Sequence, residues 1–223
     1  MTKSQMRNVV RMDWLRNRTQ SGRRSATNAL KLAQYFALGR GRAQEQAERP
    51  QRGQWLDQQG RPCPHEDVLA WVQTQGMHHE LTHQFILSVA DIPLSPQAFN
   101  RALAAGGPLF REWRLIAHTD SRYPHAHALA FGDRPVAIKS EAFQSWWWSV
   151  RKALTHELDA ARVLQAEQAL SQGTDQQLQS AALSEMSENE ATGGTNNCQH
   201  QSLTVDTPFA NSQAPQPDWY LEI

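Results

Sequence analysis

Apolar positions recur along the chain with two periods, and the changes of period divide it into elements. Between Ser25 and Gly39, the residues Ala29, Leu32, Tyr35 and Phe36 fall three and four apart, the spacing of one helix face. Gly39 and Gly41 end that helix. The run HEDVLAWVQT, opening at His65, predicts a second, short helix. THQFILSV, residues 82–89, is apolar and β-rich and predicts a buried strand. Ser95-Pro96 opens a further helix, SPQAFNRALAAG, with Ser at the cap and Pro in the first turn. Glu112 to Asp120 and His125 to Gly132 predict two strands joined by Ser121-Arg122-Tyr123-Pro124, and PVAIK a short third one. A long helix is predicted from Glu141 through Leu170. The result is an α+β domain over 25–170, built on a central antiparallel sheet.

The stretches outside this pattern are polar. Residues 1–24, rich in Arg and Asn, read as a basic N-terminal arm. Residues 40–64 hold five Arg and three Pro and read as a long loop, the kind of segment that often carries function. From Ser171 the composition turns to Gln, Ser, Asn, Thr and Glu, which predicts a disordered tail over 171–223. Its last residues, DWYLEI, read as a frayed end, with a docking peptide for a partner protein as the alternative.

Charge sharpens this division. The net charge is zero, yet residues 1–62 hold 13 Lys and Arg against 4 Asp and Glu, while residues 156–223 hold 1 against 10. A basic front half suits a polyanion such as nucleic acid, and equally a solvated basic arm. The two cysteines, Cys63 and Cys198, form neither a zinc spacing nor a disulfide framework, which points to a reducing cytoplasm. The N-terminus shows no apolar secretory region, and no run is long and apolar enough to suggest a membrane span.

The chemistry concentrates in H-T-D-S-R-Y-P-H-A-H, residues 118–127. Side chains alternate along a strand, so His118 shares a face with Asp120, and His125 shares one with His127. A four-residue turn over 121–124 sets Asp120 opposite His125 and His118 opposite His127, and opposite residues point to the same side. Three imidazoles and a carboxylate then converge on a site for a divalent ion such as Mg, Mn or Zn. A one-residue slip would scatter them. The other face, with Leu115, Ala117, Thr119, Ala126, Ala128 and Ala130, is small enough for helices to pack closely. An ordinary hairpin with surface or core histidines is the plainer alternative.

A second pattern competes. His79-Glu80-Leu81-Thr82-His83 matches H-E-x-x-H, in which two histidines one helical turn apart bind zinc and the glutamate activates water. The motif needs a stable helix, yet Gly76 precedes it and FILSV follows. No third ligand appears at the extended spacing HExxHxxGxxH, and Phe85, Ile86 and Leu87 follow. A zinc metallopeptidase is kept as an alternative.

The order of segments resembles the mobilisation-type DNA relaxases of the HUH endonuclease superfamily, including the group that nicks Ti-plasmid borders. The resemblance rests on His118-Thr119-Asp120 and His125-Ala126-His127, with Pro124 before the second pair, and on HHELTHQFILSVAD as the strand entering the site. It covers roughly residues 25–155. It implies a metal held by His118, His125 and His127, with Asp120 orienting a ligand or helping to deprotonate a nucleophilic tyrosine. Of the three tyrosines, Tyr35, Tyr123 and Tyr220, the resemblance favours Tyr35, the one near the N-terminus. Arg40, Arg42, Arg49 and Arg52 would then contact phosphates. The implied substrate is single-stranded DNA at a transfer origin, with other transfer proteins as partners through the tail. A non-catalytic DNA-binding relative of the same fold is the third reading. Trp146, Trp147 and Trp148 span nearly a full helical turn and so cannot all be buried.

Overall fold

The computed structural model describes residues 8–41, 45–46, 49–90, 92–118 and 123–190, with side chains as far as residue 172. The chain divides into Met1–Gly173 and Thr174–Ile223, and the first unit contains the whole sheet. Its elements run β1 (Asn8–Arg16), α1 (Thr27–Leu38), β2 (Trp55–Asp57), β3 (Pro62–Cys63), α2 (His65–His78), β4 (Leu81–Val89), α3 (Pro96–Ala104), β5 (Trp113–His118), β6 (His125–Gly132) and α4 (Glu141–Glu190). The six strands form one sheet in the order β1-β4-β6-β5-β2-β3, with every pairing antiparallel. The α+β class and the central antiparallel sheet stand as expected.

Strand parity sorts the residues of β4, β5 and β6 onto two faces. One face carries Phe85, Leu87, Leu115, Ala117, Ala126, Ala128 and Ala130, packed with Phe99 of α3 and Phe143, Trp146, Val150, Leu154 and Leu158 of α4. The alanines admit these large side chains close to the sheet. The other face carries Ile116 and Leu129 alongside the histidines, packed with Ala29, Ala33 and Phe36 of α1 and Val68 and Val72 of α2. Helices therefore cover both faces, whereas the sequence reading placed them opposite the histidines only. The reason is visible in β5 and β6: Ile116 and Leu129 share the histidine face and must also leave water.

Other boundaries change. Residues 8–16 are not part of a mobile arm but the edge strand β1, paired with β4 along its whole length. The polar stretch 40–64 contains β2 and β3, which extend the sheet beyond β5. PVAIK forms no strand. The helix predicted to stop at Leu170 continues to Glu190, so the tail does not begin at Ser171, while residues 191–223, Tyr220 and Cys198 among them, lie outside the described residues. The Ser95 cap is present: its hydroxyl accepts from the Ala98 amide at 3.2 Å, and Pro96 follows at the first helical position. Among the described residues no helix is long and apolar enough to cross a membrane.

Candidate metal centre

The hairpin of β5 and β6 brings His118, His125 and His127 together, but in a register shifted from the expected one. His118 lies opposite His125, and His127 lies opposite Ile116. The shift is two residues, an even number, so facial parity survives and all three imidazoles still point to the same side. The residue opposite His125 is His118, and Asp120, expected there, lies outside the described residues.

One nitrogen from each ring falls within 4.8 Å of the others, and the ring centroids are 5.0 to 5.2 Å apart. His118 and His127 are buried and His125 is half-buried, so the cluster opens toward solvent on the His125 side.

Two carbonyls set the tautomers. His118 Nε2 lies 2.8 Å from the Phe36 carbonyl, and His125 Nδ1 lies 2.9 Å from the Tyr123 carbonyl. A carbonyl only accepts, so each of these nitrogens is the protonated one. In the neutral rings the lone pairs then sit on His118 Nδ1 and His125 Nε2, which face each other at 3.3 Å. Two such nitrogens can share one cation. The separation is close to the roughly 3.4 Å edge of a tetrahedral site with metal–nitrogen bonds of about 2.1 Å. His127 Nδ1 adds a third signal, being buried with no hydrogen-bond partner among the described residues. Burial, helped by the neighbouring charges of His125, His118 and Arg52, pushes the His127 pKa down to about 2. The ring is thus kept neutral, the form that ligates metal. This donor set fits a divalent ion with three protein ligands and an open position.

The end of α1 closes over the triad. Phe36 stacks on His127 with centroids 4.1 Å apart and planes 15° apart, and its carbonyl orients His118. Such a backbone carbonyl on the far nitrogen of a ligand histidine fixes both tautomer and ring direction. Nothing in the sequence singles out Phe36 beyond its place on the apolar face of α1, so its contact with the site emerges only from the fold. Gly39 then turns the chain with φ 78°, a conformation that favours glycine, and donates its amide to the Tyr35 carbonyl. The following loop returns along the same helix end, where the Arg52 amide bonds the Ala37 carbonyl at 2.8 Å. The side chains of Arg49 and Arg52 pass Gly39, and Arg52 is close enough to His127 for its charge to depress that pKa. Arg49 donates to the Arg40 carbonyl, and Arg40 is exposed. Arg42 lies outside the described residues.

Tyr35, one residue before Phe36, keeps 36% of its surface exposed, and its ring lies 5.9 Å from that of Phe36. Tyr123 is 54% exposed in the β5–β6 connection.

The H-E-x-x-H string has a different fate. His79 caps the end of α2 in an extended conformation, and His83 lies within β4. Four residues of extended chain separate their backbones by roughly 13 Å, too far for one ion. His83 is buried against Phe110 on the alanine face, its pKa pushed down to about 4 by burial, whereas His79 bonds Asp133 at 3.1 Å. Glu80 forms ion pairs with Arg18 and Arg24, each at 2.7 Å, which hold its carboxyl below the usual range and tie the segment after β1 to β4. The arrangement is structural.

Among the described residues, His118, His125 and His127 are the one group of three or more His, Cys, Asp or Glu placed to hold a metal. No family model, curated protein or solved structure matches the chain.

Proposed function

We propose that this chain is a metal-dependent, strand-specific endonuclease of single-stranded DNA, working as a relaxase in plasmid mobilisation or conjugative transfer. The observation that carries this reading is the convergence of three histidines beneath the end of α1, the segment that also bears Tyr35 and leads into the arginine-rich loop. A divalent ion bound by His118, His125 and His127 supplies polarisation of a non-bridging phosphate oxygen and screening of charge in the transition state. Tyr35 is the nucleophile: its phenolic oxygen bonds to phosphorus, the bond from phosphorus to O3′ breaks, and the leaving oxygen takes a proton. The products are a 3′-hydroxyl and a 5′-phosphotyrosine, which retains the bond energy for rejoining. Asp120 receives the phenolic proton or orients a ligand histidine. Arg52 and Arg49, folded over the same helix end, bind the flanking phosphates, and Arg40 and Arg42 extend that track.

The test is a labelled single-stranded oligonucleotide incubated with the protein and Mn²⁺, then run on a denaturing gel. The expected product is a DNA–protein adduct that disappears in Tyr35→Phe and on chelation. DNA binding with no adduct in the parent protein would overturn the nuclease and leave a non-catalytic DNA-binding relative. An adduct that survives in Tyr35→Phe would remove Tyr35 from the mechanism.

A further inference from the structure

The three consecutive tryptophans of α4 divide their work. Trp146 is buried in the core, at 2% exposure, against Phe85, Phe110 and Phe143. Trp147 is half-buried and donates its indole N–H to the Val10 carbonyl at 3.1 Å, tying α4 to the edge strand β1. Trp148 meets Trp147 edge-on at 5.0 Å, has no side-chain hydrogen bond among the described residues and is 60% exposed. A large aromatic ring left in water on a well-formed helix needs an explanation, and its neighbours offer one. The Arg151 guanidinium lies 4.6 Å from the centre of the Trp147 ring and 5.6 Å from that of Trp148. Its Nε donates to Asn8 Oδ1 at 3.2 Å, and Asn8 in turn donates to Thr155 Oγ1 at 2.8 Å, so the guanidinium is held in place rather than waving in solvent. Lys152 is exposed one residue further on. Trp148, Ser149, Arg151, Lys152 and Thr155 line an open groove of about 430 Å³, with two cations and no carboxylate among its lining residues.

An exposed indole with a fixed guanidinium and an ammonium beside it matches an unstacked base followed by its phosphates. The base has an aromatic face to lay on the ring, and each phosphate has a charge to place on a cation. A duplex offers no free base face, which selects a single strand. We propose that Trp148, Arg151 and Lys152 form a second contact site for single-stranded DNA, with a base stacked on Trp148 and the adjacent phosphates on Arg151 and Lys152. This site is carried by α4, which packs on the alanine face of the sheet, away from the histidines. It rests on the nuclease reading above only for the choice of DNA as the strand.

The experiment measures binding of a fluorescein-labelled thymidine oligonucleotide by anisotropy in EDTA, where neither metal nor cleavage is needed. Trp148→Ala is expected to weaken binding roughly tenfold, the worth of one base stack, and Trp148→Phe to restore most of it. Lys152→Glu is expected to flatten the dependence of affinity on salt by about one phosphate contact. Circular dichroism and thermal melts check that each exposed substitution leaves the fold intact. Equal affinity in parent and Trp148→Ala overturns the proposal, as does parent binding that is no weaker for duplex DNA of the same length. Tighter binding to uridine RNA would overturn the assignment to DNA. A protein that never cleaves would still give either answer, so the two readings fail separately.

Discussion

Adding a divalent ion should stabilise the fold, and His125→Ala should remove that effect. Without an ion, His127 Nδ1 is buried without a partner among the described residues. A buried polar group left unsatisfied costs about 1–3 kcal/mol, so binding relieves a defect of the folded state. At a free ion concentration 100 times the dissociation constant, linkage contributes about 2.7 kcal/mol. For a domain of this size each kcal/mol moves the thermal midpoint by about 2–4 °C, which gives a rise of roughly 5–10 °C. Three imidazoles with no carboxylate among the described ligands favour Zn²⁺ over Mn²⁺, and Mn²⁺ over Mg²⁺. His125 is the half-buried member, so its removal disturbs packing least while taking away one of three ligands. Differential scanning fluorimetry of the EDTA-stripped protein, titrated with each ion, makes the measurement. A midpoint unmoved by millimolar amounts of all three ions would refute the reasoning. So would an equal rise in parent and His125→Ala, which would place the ion elsewhere.

Two further outcomes test the surroundings of the site. Glu80→Gln breaks the ion pairs to Arg18 and Arg24, so it should lower the thermal midpoint slightly and leave the metal-induced rise unchanged. If that rise vanished, the H-E-x-x-H string would be a metal site after all. His83 should make the fold acid-sensitive: its pKa is about 4 in the folded chain, below the ordinary 6.5, so the unfolded chain takes up the proton first. Stability from this residue is complete above pH 6.5 and is lost as pH falls toward 4, by on the order of 3 kcal/mol. Urea midpoints of parent and His83→Leu should therefore converge, or cross in favour of the variant, as pH drops through that window, and a gap that stays constant would show that His83 does not drive the effect.

The elements most legible in the sequence were those whose burial follows a single strong period. The apolar face of α1, the run forming β4 and the Ser95-Pro96 start of α3 all follow from local chemistry. Edge elements were not legible for an equally physical reason. In β1, Val10 and Met12 alternate with Arg11 and Asp13, but only one face of an edge strand is packed, and charges there guard against further pairing. The same charges make the segment look like a solvated arm. β2 and β3 are too short, at three and two residues, for any period to show, and they form because β5 offers an open edge. PVAIK has the composition of a strand but no partner, since the pairing of β4 with β6 ends where Leu81 meets Gly132.

The histidine site was legible because it depends on parity rather than alignment. Alternation puts His118 on one face of β5 and both His125 and His127 on one face of β6. Any antiparallel register that differs by an even number of residues keeps the three together. The expected register and the observed one differ by two, so the triad survived while the facing pairs changed. The fourth member, Asp120, lies outside the described residues. What no local pattern could reveal is the roof. Phe36 lies 82 positions before His118, yet its carbonyl selects the tautomer of that histidine and its ring stacks on His127. Metal binding by the hairpin would thus be coupled to the packing of α1, and any nucleophile borne on α1 would be positioned by the same contacts that orient the histidines.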